Sequence, residues 1–344
     1  MLRKILLILL SFIIGILAFW WTVSRTGFWK VEKALAAFPS VGLFFVLLVT
    51  FFIILVNIYR MNFVIRTIGD NLSFRETAGI WFSGFAISFL TPISLLGGEF
   101  YQIYTLKRIF KVPWSRGAAS IFINRVLDSL LFSIFLLAGI FVFFLCSPIF
   151  PAKKILLVGG GMTLLLISLL IFFFLKSSKK ESVVRWFIKF FGLKEEKFEN
   201  SKGGKIILES EDRIFSFFRE RKDKVWKGIE ISVIKYLLIF LRMMIILYYF
   251  GGGWSIVKSL SVYGFFNFCT LIPLPALLGS LELVEGAVFR GLGFPLETGF
   301  AFSFLIRGVE LIIVFIGLAF ILKFSLEIIK IKIEEIFNKF SHKS

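Results

Sequence analysis

Apolar residues occur along this chain in long unbroken runs, without the polar stripe of a half-buried soluble helix. Six runs, at about 5–23, 41–59, 118–145, 155–175, 229–250 and 298–322, approach or exceed the roughly 20 residues that a helix needs to cross a bilayer. Two more, 77–98 and 255–293, are as apolar but are interrupted by proline and glycine. One long polar segment covers 176–228, and a charged, amphipathic tail begins at 323. The pattern predicts an all-α polytopic membrane protein. Residues 1–322 form its transmembrane domain, with the polar segment as a cytoplasmic loop inside it, and 323–344 form a cytoplasmic tail.

The two interruptions resemble each other. "PISLLGGE" fills 92–99 and "PALLGSLE" fills 275–282. Proline removes a backbone donor and breaks the preceding turn, and glycine accepts the dihedrals of a tight reversal. Backbone freed in this way is tolerated at membrane depth only where protein or a wet cavity covers it. Pro92, Gly97, Gly98, Pro273, Pro275 and Gly279 are therefore read as shaping two re-entrant hairpins; the plainer alternative is two proline-kinked buried helices.

Charge repeats with the breaks. Glu99 is followed by Arg125 and, at the i+3 position from that arginine, by Asp128. Glu282 is followed at nearly the same interval by Arg307 and, again at i+3, by Glu310. An ionisable group at the centre of a spanning helix costs about 2.5–3.5 kcal/mol on the insertion scale, so these six residues need partners or a cavity. Arg125 with Asp128, and Arg307 with Glu310, each share one helix face. One expectation is that they cross-link the bundle as intrahelical ion pairs. The other is that the arginines grip an anionic headgroup, whose phosphate suits the planar guanidinium fork, while the acids orient them. Lys235 is expected to snorkel to the inner surface, and Arg242 lies deeper.

Three predicted spans separate the two breaks. An odd number makes them enter from opposite faces, which is the pattern of an inverted repeat built around the bilayer midplane. With the N-terminus inside, 29 of the 40 basic residues fall on the cytoplasmic side and seven outside, in line with the positive-inside rule. Both termini are then cytoplasmic and the membrane is the plasma membrane. In the loop, RWFIKFFGL (185–193) and IFSFFRE (214–220) mix basic and bulky apolar residues as interfacial helices do. The N-terminal run is long for the apolar stretch of a signal peptide, and it ends in Phe19-Trp20-Trp21, where a signal peptidase site needs small residues. It is read as a retained first helix.

Composition narrows the function classes. The chain has 344 residues, 58% of them hydrophobic, and a mean hydropathy of +0.90, against about 45–50% apolar in soluble domains. The net charge of +18 is explained by the cytoplasmic bias and by anionic lipid, not by nucleic acid. Cys146 and Cys269 form no C-x-x-C pair, and the only histidine is His342, so no metal site or cofactor is expected. Gly159–Gly161 and Gly251–Gly253 lack the Lys-Ser/Thr of a phosphate loop and are read as helix packing and helix termination.

The stretch 91–128, from "TPISLLGGEF" to "INRVLD", resembles the first motif of the lysylphosphatidylglycerol synthase transmembrane-region family of flippase-like membrane proteins. "LIPLPALLGSLELVEGAVFRGLG" (271–293) with Arg307 is similar to its second motif. The family's usual Pro-Gly pair is replaced here by Pro275-Ala276, which implies a stiffer tip. The resemblance implies movement of an aminoacylated or other anionic phospholipid, or of a polyprenyl-linked lipid, between leaflets. It also implies that the soluble aminoacyl-transferase domain of bifunctional relatives is missing, since only the short tail 323–344 follows the last predicted span. Glu99, Arg125, Asp128, Glu282, Arg307 and Glu310 are expected to line the headgroup site, with no catalytic residue. The alternatives are a membrane enzyme acting on lipid-linked substrates, and a scaffold for a separate aminoacyl- or glycosyltransferase.

Overall fold

A computed structural model describes residues 20, 28–91, 97–146, 161, 164–165, 168, 171–172, 175–176, 181–192, 195–272 and 274–341. These are helices and their connections, with no strand among them. In chain order the helices are α1 (Phe28–Ala36), α2 (Ser40–Ile68), α3 (Phe74–Leu90), α4 (Gly97–Arg108) and α5 (Trp114–Cys146). Then follow α6 (Val183–Phe190), α7 (Glu195–Glu199), α8 (Lys202–Glu220), α9 (Lys222–Leu247), α10 (Ile256–Thr270), α11 (Ser280–Gly291) and α12 (Leu296–Ser341). Four stretches are long and apolar enough to cross a membrane: Ser40–Ile68, Trp114–Cys146, Lys222–Gly252 and Leu296–Ile331. They contain four of the six predicted spans. The predicted spans 5–23 and 155–175 fall almost wholly outside the described residues.

Local chemistry sets the helix ends. Gly69 ends α2 in the left-handed region (φ 109°), its N–H donating to the Ile65 and Arg66 carbonyls, a glycine C-cap. Ser73 opens α3 with a capping box, its hydroxyl facing the Glu76 N–H while the Glu76 carboxylate accepts from the Ser73 N–H at 2.7 Å. Gly251 (φ 85°) and Gly253 (φ 63°) end the helical stretch after α9, as read from the sequence.

Each interrupted run is a helix, a break and a helix. The first is α3, then α4; residues 92–96 of its octet, Pro92 among them, lie outside the described residues. The second is α10, then α11, joined by a 3-10 turn over Pro275–Leu277; Pro273 lies outside the described residues. Close backbone approach holds both hairpins in the bundle. A Cβ on Gly98 would strike the Gly84 carbonyl, so α4 packs backbone-close to α3, and one on Gly139 would lie 2.5 Å from the Gly264 Cα, where α5 crosses α10. Small residues of this kind let helices meet without a hydrophobic driving force in lipid.

The core is continuous across α2, α5, α9, α10, α11 and α12, from Val46 and Leu136 to Tyr263, Phe289 and Phe302. A second cluster joins Met61, Ile80, Leu106 and Ile121. A third corrects the reading of 214–220 as an interfacial segment: Ile214, Phe215 and Phe217 of α8 are buried against Val64, Ala119, Ile123 and Leu127. The segment 185–193 behaves differently, since Trp186, Phe187, Phe190 and Phe191 of α6 and its end are exposed.

Candidate functional site

A cavity of about 670 Å³ opens inside the bundle, with its wall drawn from α2, α3, α4, α5, α6, α9, α10 and α12 and from the Pro275–Leu277 turn. Most of it is apolar, through Ile53, Trp81, Phe85, Phe132, Ile239 and Phe266. Set into that wall are four cations, Arg60, Arg125, Lys235 and Arg242, and three carboxylates, Glu99, Asp128 and Glu310.

The repeat-related charges pair across the bundle rather than along one helix. Glu99 stands in the first turn of α4, where the helix N-terminus favours an anion, and its Oε1 lies 3.6 Å from Arg125 Nε on α5. Its other oxygen has no hydrogen-bond partner. In the second unit Glu282 stands in the first turn of α11 and accepts from the Gly279 N–H at 3.0 Å. Arg307 on α12 meets it with both Nη atoms, Nη1 at 2.5 Å from Oε1 and Nη2 at 2.9 Å from Oε2. Nη2 also donates to the Leu277 carbonyl at 2.6 Å, one of the backbone acceptors released by the break. Glu282 is fully buried and Arg307 nearly so, and neither lines the cavity. The expectation that all six residues face one site therefore divides: Glu99, Arg125, Asp128 and Glu310 face the cavity, while Glu282 and Arg307 staple the second hairpin.

Asp128 does not form the expected pair with Arg125, one turn earlier on α5. Its Oδ1 lies 2.7 Å from Arg60 Nη1 and 2.5 Å from Lys235 Nζ. Arg60 also donates from Nε to the Asn124 Oδ1 and from Nη1 to the Ser232 Oγ, both at 2.9 Å. One carboxylate thus ties α2, α5 and α9 together. Lys235 turns inward to it, with its ammonium 4.8 Å from the Tyr236 ring centre, and does not snorkel. Arg60 was missed by the sequence reading because it follows the predicted span 41–59 and looks like a flanking charge. The helix runs on to Ile68, and Arg60 is 1% exposed.

Nothing in the sequence marked Glu285 either, one turn beyond Glu282. It is fully buried and neither carboxylate oxygen has a hydrogen-bond partner. Among the described residues, no group of three or more His, Cys, Asp or Glu is placed to hold a metal ion.

A helical bundle with four membrane-length apolar stretches, two broken helices and a charged cavity among them defines a polytopic integral membrane protein. The chain belongs to the lysylphosphatidylglycerol synthase TM region family, which matches residues 8–317. It is also similar to the UPF0104 membrane protein MJ1595 of Methanocaldococcus jannaschii, with 25% identity over 130 residues. That alignment takes in 37% of this chain and 39% of the relative, so the chain spans about two fifths of the curated relative it matches. No solved structure matches it.

Proposed function

We propose that this protein binds the headgroup of an anionic or aminoacylated phospholipid, or of a polyprenyl-linked lipid, in the central cavity and passes it between leaflets. One observation carries the reading: a cavity of about 670 Å³, within the usual size of a small-molecule site, holds seven charged side chains inside membrane-embedded helices. Ionisable groups at that depth mark substrate or ion pathways. The cations outnumber the carboxylates by one, which favours an anion. Arg125 is the headgroup contact of the first unit; its side chain is 36% exposed, and Glu99 orients it.

On this reading the two hairpins form an inverted repeat. The matched pairs Glu99–Arg125 and Glu282–Arg307, each closing from a break onto the long helix that follows, support the repeat. The charge bias of the loops supports cytoplasmic termini in a plasma membrane. Its partners are membrane lipids, and a separate lipid-modifying enzyme would supply or use the lipid.

The test is headgroup exchange of a fluorescent phosphatidylglycerol in liposomes, read by chemical bleaching of the outer leaflet. Wild type should double the bleached fraction relative to empty vesicles, because both leaflets become accessible. Arg125→Ala should slow exchange, and Arg125→Lys should restore it only partly, since lysine keeps the charge and loses the fork. Arg125→Ala exchanging at the wild-type rate removes the headgroup role; no exchange by wild type removes translocation.

A further inference from the structure

Of the four cations lining the cavity, three have a carboxylate within 4.0 Å: Arg60 and Lys235 at Asp128, and Arg125 at Glu99. Arg242 on α9 has none among the described residues. It is 7% exposed, its Nη1 donates to the Thr50 Oγ1 at 3.3 Å, and its Nε has no hydrogen-bond partner. The acid that faces it, Glu310 on α12, lines the same cavity without coming into ion-pair range of it.

A second donor in the same wall is also under-satisfied. Asn267 on α10 is 4% exposed, and its Nδ2 has no hydrogen-bond partner. The Tyr263 hydroxyl on the same helix is close enough to interact with the Asn267 amide, but no acceptor meets Nδ2 at full hydrogen-bond geometry. Thr50, Arg242 and Asn267 come from three different helices and all line the cavity. Tyr263 is the common neighbour of Arg242 and Asn267, and a buried guanidinium with no carboxylate in ion-pair range, facing one cavity with a buried amide donor that lacks an acceptor, is unfavourable for the bundle by itself. Both deficits are removed by one ligand: an oxyanion that accepts from Arg242 Nε and Asn267 Nδ2.

We propose that Arg242 and Asn267 form an oxyanion-binding subsite of the cavity, separate from the Arg125–Glu99 pair, that takes a phosphate group. The ligand class is a phosphate mono- or diester, because a tetrahedral anion offers several acceptor oxygens to a guanidinium and a neighbouring amide. The phosphate comes either from a lipid headgroup or from free inorganic phosphate. The inference deepens the headgroup reading and rests on it for the lipid source alone. Arg242, rather than the enclosed Arg307, is then the arginine from the second half of the chain that meets the ligand.

Binding to the purified full chain in detergent tests this by calorimetry, with dihexanoyl-phosphatidylglycerol and inorganic phosphate as separate probes. Wild type should bind at least one probe; whichever binds names the source. Arg242→Gln should weaken binding roughly 10- to 150-fold, the range for losing a charged hydrogen bond. Asn267→Leu should weaken it several-fold and covers the case in which Arg242→Gln does not fold. The Arg242→Gln/Glu310→Gln double variant separates ligand binding from balancing of Glu310: it should bind as weakly as Arg242→Gln. Recovery of wild-type binding in the double variant, wild-type binding by both Arg242→Gln and Asn267→Leu, or binding of neither probe by wild type overturns the subsite. Phosphatidylglycerol binding that depends on Arg242, with no headgroup exchange in liposomes, would leave the subsite standing and overturn translocation alone.

Discussion

Arg307 and Arg125 occupy matched places in the sequence and do different work. Arg307 holds a buried carboxylate with two nitrogens and a freed carbonyl with one of them. Its loss leaves the buried Glu282 carboxylate without its counter-ion, held by the Gly279 N–H alone, while the Leu277 carbonyl keeps the Ser280 hydroxyl. Removing one member of a buried pair costs about 3–5 kcal/mol, so Arg307→Ala should lower thermal stability in detergent markedly, while Arg125→Ala, at a side chain 36% exposed, should lower it less. Equal melting temperatures for the two variants would contradict this division. Asp128→Asn should also be severe, by a similar amount, since Arg60 and Lys235 would then face each other without their shared anion. Differential scanning fluorimetry of the purified variant checks it, and wild-type stability would show that water already screens the cluster.

At the scale of elements, the second break carries a strain that its sequence explains. Ala276 (φ 50°) and Leu277 (φ 53°) both sit in the left-handed region, which costs an L-residue roughly 1–2 kcal/mol. Ala276 stands where the resembled family more usually has glycine, which adopts this region freely. Ala276→Gly should therefore raise thermal stability modestly, by about 0.5–1 kcal/mol; a fall would mean that the methyl packs more than it strains. The second break and four of the long helices were legible, because proline, glycine and apolar length act locally. The partners were not. Asp128 meets residues from α2 and α9 that are 68 and 107 positions away in the chain, and no local period encodes that. The burial of Ile214, Phe215 and Phe217 was hidden for the same reason: an amphipathic helix looks alike whether its apolar face meets lipid or protein.

For the molecule as a whole, the proposed inverted arrangement has a direct test. Asn71, before α3, and Ile256, at the start of α10, are both exposed and free of capping duty, unlike Ser73 and Ser255. Cys146 is exposed and should be replaced by alanine, while Cys269 is fully buried and can stay. A membrane-impermeant thiol reagent outside intact cells should label Ile256→Cys, and should label Asn71→Cys only after the membrane is opened. Labelling of both from one side sinks the repeat. One long element ties these parts together. α12 runs 46 residues from Leu296 to Ser341, about 69 Å at the helical rise, more than twice the thickness of a bilayer's hydrocarbon core. Arg307 and Glu310 lie one turn apart on it, and further along, Gly317 meets the Phe82 carbonyl of α3. A stiff rod gripped at several points cannot shift at one and stay still at the rest. α12 therefore reaches both units at once, through the Arg307–Glu282 pair on α11 and through Gly317 against α3, and a displacement of it at the cavity would be felt at both contacts together.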